Sequence, residues 1–346
     1  MIRLKTYVQI SDLHFGDIDP MTFQSAAPAY WSNSKCFDGL PGHDYVALQR
    51  LVKFFRRMKR REDAELIVTG DLTSIGKSDQ FDAARDFLGA QLIPPKGTVG
   101  LGVADWQAKA IPGNHDYFAG AVTWTGGPIL GGPTAGLAQC FPKLPFATAP
   151  IPLPPTSVSL RFASIDTDAA NSAYGPNRFW ARGSFVKQLT DAQAALGPPE
   201  RDEIRVLLLH HSRAHNRGYK LRIDRKSAAA LDRFLAQSDI AVLLSGHMHV
   251  PWVQNFQLIS PSPARVLDLM EARCGTTTQR DTIPLHWFTL LGIPPNRTLE
   301  PNTLMVHRLI AENRAIFWTV QTYTRRIYGF EPFGLTGRQA VWPRPP

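Results

Sequence analysis

An α/β fold, in which strands deliver polar residues to one edge of a sheet, is what this 346-residue sequence predicts. Three observations point to it. Five apolar runs of strand length are each followed at once by a short polar motif. Segments with helical spacing of apolar residues fall between several of these runs. The composition is that of an ordinary globular protein, with 44% apolar and 19% charged residues.

The first run, Thr6–Ile10, leads to Asp12-Leu13-His14. A loop is expected over Asp17–Gly42, rich in Pro, Ser, Asn and aromatics. Leaving the same strand end as Asp12, it would lie over the motif. Tyr30 and Trp31 in this loop, and Tyr117 later, are candidates to line a pocket. A helix from about Asp44 to Arg60 follows, with Val46, Leu51, Phe54, Phe55 and Met58 as its core stripe. The basic run Lys53–Arg61 then falls on its solvated face.

The second run, Glu65–Thr69, ends in Gly70-Asp71, and Ser78–Leu88 reads as the next helix. Ala108–Ile111 leads to Gly113-Asn114-His115-Asp116. Gly120–Pro155 is dense in Gly and Pro and is expected to be an excursion of irregular loops. Val158–Ile165 is strand-like, and Gly183–Ala195 reads as a loop feeding a short helix. Arg205–Leu209 precedes His210-His211. A helix over Lys226–Leu235 comes before Ala241–Ser245, which ends in Gly246-His247-Met248-His249. Thr303–Leu309 and Ile316–Tyr323 alternate as antiparallel strands do. Residues from about 342 read as a loose tail, and the whole of 1–346 as one domain.

Several function classes recede. No run reaches the roughly 18 apolar residues of a membrane span, and Met1–Lys5 enters a strand without a signal-peptide apolar region. Cys36, Cys140 and Cys274 are too widely spaced for a disulfide framework or a thiolate zinc site. A cytoplasmic protein is expected. The net charge of +9 favours an anionic partner without naming one.

The five motifs offer carboxylate, carboxamide and imidazole groups, a mixture suited to manganese, iron or zinc rather than to an all-oxygen calcium cage. Asp12 and His14 are two residues apart, as are His247 and His249, so each pair would share one side of an extended strand. Two such pincers on neighbouring strand ends leave room for two ions about 3.5–4 Å apart. His43, His215, His286 and His307 lack ligand spacing and are expected to pack or to lie on the surface. His43 and His215 are near enough to site-forming loops to touch a substrate.

In this order the motifs resemble those of the calcineurin-like metallophosphoesterase superfamily, over roughly residues 5 to 325. The resemblance implies a four-layer α/β/β/α sandwich with two mixed β-sheets and a binuclear metal centre. It implies that Asp12, His14, Asp71 and His249 hold one ion, and that Asp71, Asn114, His210 and His247 hold the other, with Asp71 bridging. A hydroxide shared by the ions would attack phosphorus in line. The positive charge of two divalent ions outweighs that of Asp12, Asp71 and the hydroxide, so an anionic phosphate is welcome. His115, beside a ligand, would protonate the leaving alkoxide or hold a phosphoryl oxygen. Asp116 would orient His115 or stabilise a turn.

Two departures narrow the reading. Where protein phosphatases of this superfamily carry an Asp three residues after Gly-Asp, this chain has Ser74. Gly70–Thr73 looks more like the cyclic-nucleotide and glycerophosphodiester phosphodiesterase branch. The fourth block reads His210-His211-Ser212 rather than the commoner His-His-Pro, and His211 is left to face substrate. Lipid-A-pathway pyrophosphohydrolases usually have Arg at the place of His115, and so fit less well. The resulting expectation is a phosphodiesterase acting on a small or medium organic phosphate. The alternatives are a nuclease on DNA or RNA, motivated by the basic helix, and a non-catalytic scaffold.

Overall fold

The chain is described by a computed structural model over residues 1–17, 42–93, 97–122, 128–130, 134–168, 172–174, 180–182, 185–213, 223–261, 264–279, 282–284, 296–298 and 301–343. The expected loop Asp17–Gly42, with Tyr30, Trp31 and Cys36, lies almost wholly outside these residues, as do His215 and His286.

The first sheet contains β1 (Ile2–Ile10), β2 (Glu65–Thr69) and β3 (Ala110–Ile111), which run parallel. Between β1 and β2 stands α1 (Tyr45–Glu62). Between β2 and β3 stands α2 (Ser78–Gly89). A short helix α3 (Ala135–Cys140) and a short strand β4 (Phe146–Ala147) follow. The second sheet continues with β5 (Ser159–Ser164), α4 (Val186–Leu196), β6 (Glu203–Leu208), α5 (Arg225–Gln237) and β7 (Ile240–Ser245). The hairpin β8 (Trp252–Pro261) and β9 (Ala264–Arg273) completes its ordered edge. The chain then returns to the first sheet through β10 (Thr303–Glu312), β11 (Ala315–Arg326) and β12 (Gly329–Trp342).

Strand order is β12-β11-β10-β1-β2-β3 in one sheet and β8-β9-β7-β6-β5-β4 in the other, with Ile151–Pro152 pairing on β5 as well. Each sheet mixes parallel and antiparallel pairs, as expected. Three buried clusters set the layers. Leu48, Leu51, Phe55, Phe81 and Phe87 of α1 and α2 pack on Val8, Ile10 and Val68 of the first sheet. Tyr7, Ile67 and Trp318 meet Phe162, Val206 and Leu244 between the sheets. Leu189, Leu231 and Phe234 of α4 and α5 cover Leu207 and Leu243 of the second sheet. Burying these faces is the main drive to the helix–sheet–sheet–helix order.

Local chemistry fixes the helix that carries the basic run. Asp44 caps α1, its Oδ1 accepting from the Val46 and Ala47 amides at 2.7 and 3.3 Å, and Arg325 closes on the same carboxylate. Burial works to raise the Asp44 pKa, but Arg325 outweighs it and holds the carboxyl below the usual range. The expected stripe is corrected at Val46, which is exposed, while Ala47, Leu48 and Val52 join the core.

Other corrections concern edges. The stretch over 120–155 contains α3, β4 and the Ile151–Pro152 strand rather than loops alone. Thr134 caps α3 by accepting from Leu137 N at 3.2 Å, a short signal hidden among the prolines. β12 runs through Trp342, the residue near which a loose tail was expected to begin. β12 holds Pro332, Gly334 and Gly337, tolerable because it pairs on one side only.

Candidate metal centre

All five motifs gather at the carboxyl ends of β1, β2, β3, β6 and β7, where no strand continues to claim their backbone groups. The chain leaves the sheets there in left-handed backbone. Asp12 has φ 52°, His14 49°, Asp71 52°, His247 75° and His249 57°. This corrects the expectation that Asp12 and His14, or His247 and His249, sit as alternate residues on an extended strand. They occupy turns, and residues other than glycine held there cost on the order of 1 kcal/mol or more each. The first two loops support one another: the amides of Asp12, His14 and Phe15 donate to the carbonyls of Gly70, Asp71 and Leu72 at 3.0, 3.0 and 2.8 Å.

Two groups of side chains result. In the first, His14 Nε2 and His249 Nε2 lie 3.0 Å apart, and His249 Nε2 is 3.3 Å from Asp12 Oδ1. His14 Nε2 is 3.9 Å from both Asp12 Oδ1 and Asp71 Oδ2. In the second, His210 Nε2 is 3.3 Å from Asp71 Oδ2 and 3.3 Å from Asn114 Oδ1. Asn114 Oδ1 is also 2.8 Å from His247 Nδ1. The His and Asp atoms of each group fall within 4.8 Å of one another, and Asp71 belongs to both groups. The structure thus brings Asp12, His14, Asp71 and His249 into one group and Asp71, His210 and His247 into another, with Asn114 beside the second.

Hydrogen bonding fits these groups to cations. Among the described residues, Asp12 Oδ1 and Asp71 Oδ2 are buried with no hydrogen-bond partner. Left so, each would carry a substantial desolvation cost, which a bound cation offsets. Two imidazole nitrogens facing each other at 3.0 Å likewise suit a shared metal. The His210 Nδ1–H donates to the Thr69 carbonyl at 2.7 Å, which aims Nε2 at Asp71 Oδ2, 3.3 Å away. Burial, with His115 and His211 adding to it respectively, holds His14 and His247 well below the ordinary imidazole pKa, in the neutral form a metal needs. Burial disfavours the Asp71 carboxylate, but the charges of His210 and His115 override it and keep the carboxyl well below the usual range.

Two glycines are required by contact. A Cβ on Gly113 would come within 2.2 Å of Asp71 Oδ1 and 2.6 Å of His210 Nε2. Gly70 has φ 100°, and a Cβ there would strike the His210 ring at 2.2 Å.

His115 stands beside the first group, its ring 4.6 Å from that of His14 and edge-on to it. Its Nδ1 lies 2.8 Å from the Ser74 carbonyl oxygen, and its amide donates to Asp71 Oδ1 at 2.9 Å. Burial lowers its pKa below the ordinary value. Among the described residues, no hydrogen bond joins Asp116 to the His115 ring. Its carboxylate accepts from the amides of Gly113, Leu72 and Thr73 at 3.0, 3.2 and 2.9 Å and from Thr73 Oγ1 at 2.9 Å. It ties the second loop to the third, so the turn-stabilising alternative is the one the geometry favours. Burial and the charge of Asp71 push its carboxyl up to about 7.

His211 is fully buried, its ring centroid 4.1 Å from that of His247 and its Nδ1 2.9 Å from Thr167 Oγ1. Asp168 lies 3.5 Å from the same nitrogen. Tyr117 is buried too, its hydroxyl on Asp166. Sequence reasoning missed Asp166-Thr167-Asp168, although the signal was the same as for the five motifs: a strand, β5, followed at once by acidic residues. His43 is buried against Phe15, a packing role.

A family model described as "Calcineurin-like phosphoesterase" matches residues 5–251. No curated protein matches the sequence. Among solved structures, PhoD shares 11% identity at a TM-score of 0.53, covering 98% of this chain and 72% of that one, a likeness of fold. A dimetal phosphatase from Danio rerio aligns over 96% of this chain and 99% of its own at 10% identity and a TM-score of 0.45. A Vps29 double mutant from Entamoeba histolytica aligns over 97% and 98% at 11% identity and 0.32.

Proposed function

The chain belongs to the calcineurin-like phosphoesterase family, and we propose that within it the protein is a phosphodiesterase acting on a small or medium organic phosphate. It is a metal-dependent phosphoester hydrolase, and the family and the two side-chain groups support a binuclear divalent metal centre. We assign Asp12, His14, Asp71 and His249 to one ion and Asp71, Asn114, His210 and His247 to the other, with manganese, iron or zinc as the metals suited to this oxygen and nitrogen set. Residues 1–346 read as one domain, supported by β10 pairing directly on β1.

A metal pair held there supplies Lewis acidity toward phosphoryl oxygens and lowers the pKa of water. The chain supplies position and protons. Asp71 stands between the two groups, its Oδ2 3.9 Å from His14 Nε2 and 3.3 Å from His210 Nε2, while the His115 amide holds its Oδ1. The Ser74 carbonyl takes the Nδ1–H of His115, which leaves Nε2 as the exchanging site. An anionic phosphate beside the ring raises its proton affinity, so Nε2 can gain a proton as substrate binds and pass it to the leaving oxygen.

The observation carrying this reading is that Asp71 belongs to both groups while His115 stands at their edge. The diester preference is supported by Ser74 and Gly70–Thr73: the ring partner is a neutral carbonyl, not the carboxylate of protein-phosphatase relatives. The test is hydrolysis by the manganese-loaded protein. Bis-p-nitrophenyl phosphate is expected to turn over faster than p-nitrophenyl phosphate. Failure on both would sink the assignment; preference for the monoester would overturn the diester reading alone.

A further inference from the structure

At the opposite end of β2 from the metal centre is a cleft of about 830 Å³. Glu65 and Leu66, the first residues of β2, lie at its base, and Asp71 is six residues further along, roughly 20 Å by strand rise. One wall is the outer side of α1, with Lys53, Arg56, Lys59 and Arg60. The other is the chain from Gln91 to Lys109, with Leu101, Val103 and Trp106 among its apolar atoms. From Lys53 to Arg60 the helix rises roughly 10 Å, so its cations form a row along the wall.

The cations are unequally committed. Lys59 pairs with Asp63 at 2.6 Å on the surface, and Lys109 with Glu65 at 2.9 Å. Among the described residues, Arg56 reaches the Gln91 and Gly100 carbonyls, at 3.5 and 3.4 Å. Lys53 and Arg60 have no carboxylate partner among the described residues. Lysine and arginine in the last turn of a helix complement its dipole, which accounts for Lys59, Arg60 and Arg61. It does not account for Lys53 and Arg56, which stand further back. Five cations against Glu65 and Asp105 leave the cleft positive.

We propose that this cleft is a second anion site, separate from the metal centre, that binds a small organic polyphosphate of the nucleoside triphosphate class. Its volume lies within the range of small-ligand pockets. Cations stand on both walls of a half-open cleft, and their row on α1 is only roughly 10 Å long, whereas a site following a nucleic-acid backbone presents a longer, continuous groove. The apolar wall offers a surface to the body of the ligand while the α1 row takes its phosphates.

The full-length, manganese-loaded protein, freed of excess ion, is titrated with ATP and with a single-stranded 20-mer, and hydrogen exchange is followed with and without ATP. ATP is expected to protect amides in 101–109, with binding weakened tenfold or more in Lys53→Gln/Arg60→Gln and unchanged in Asp71→Asn. Both cleft residues are exposed, so the double variant should fold, and unaltered hydrolysis of bis-p-nitrophenyl phosphate verifies this. Arg56→Lys offers a second, milder variant with intermediate affinity. ATP binding that survives the cleft substitutions, or that disappears only in Asp71→Asn, overturns the proposal. So does a 20-mer that binds in the cleft when ATP does not.

Discussion

His115 is oriented by Ser74 through the main chain: the imidazole Nδ1 lies 2.8 Å from the Ser74 carbonyl oxygen. An acceptor that belongs to the backbone cannot be removed by changing the Ser74 side chain. Ser74→Ala is therefore expected to leave turnover nearly intact, while His115→Ala lowers kcat by roughly 10²- to 10⁴-fold with metal content unchanged. Steady-state kinetics alongside metal analysis checks both. A His115→Ala enzyme of full activity would remove the histidine from the chemistry.

Asp116 offers a stability test. Its carboxylate serves four donors from two loops. Asparagine has a single acceptor oxygen and brings an amide to face the backbone N–H groups. Asp116→Asn is expected to lose about 1–3 kcal/mol of stability in urea unfolding. Unchanged stability would mean the two loops hold without it.

Gly113 tests the closeness of the loops. An added methyl at 2.2 Å from Asp71 Oδ1 must displace the carboxylate common to both groups. Gly113→Ala is expected to bind less than one ion per chain where wild type binds about two, with an unchanged far-UV circular dichroism spectrum marking a folded protein. Equal metal content in both proteins would contradict this placement.

A pH dependence follows from His307. It is buried, accepts at Nδ1 from Trp318 Nε1 at 3.0 Å and donates from Nε2 to Gln9 Oε1 at 2.9 Å. Burial, with a smaller effect of Arg308, lowers its pKa from 6.5 to about 3. The unfolded chain takes a proton that the folded chain refuses, so this contribution is complete above pH 6.5 and is lost as pH falls toward 3. Urea unfolding at several pH values should show stability falling by up to about 1.4 kcal/mol per pH unit from this group below 6.5. His307→Gln should flatten that slope. An unaltered slope would show that His307 does not titrate as described.

The motifs were legible because each fell directly after a strand with strong apolar periodicity, as with Glu65–Thr69 and Ile240–Ser245. Burial on both faces writes such strands plainly into a sequence. The grouping of the side chains was reached by resemblance, and the backbone geometry behind it was misjudged. Spacing by two is shared by strands and by the left-handed turns that Asp12, His14, His247 and His249 adopt. β8 and β12 escaped because sheet-edge strands keep residues such as Ile259 and Phe333 exposed and tolerate Gly and Pro. The Ser74 carbonyl leaves no trace in the sequence, since every residue has one.

The central claim is that one carboxylate, Asp71, serves two ions. Metal content per chain, measured on wild type and Asp71→Ala prepared under the same manganese-replete conditions, tests it most directly. The expected result is about two ions in wild type and fewer than one in the variant, because both sets lose a ligand. An Asp71→Ala protein that keeps the wild-type metal content would contradict the shared ligand and the centre built upon it.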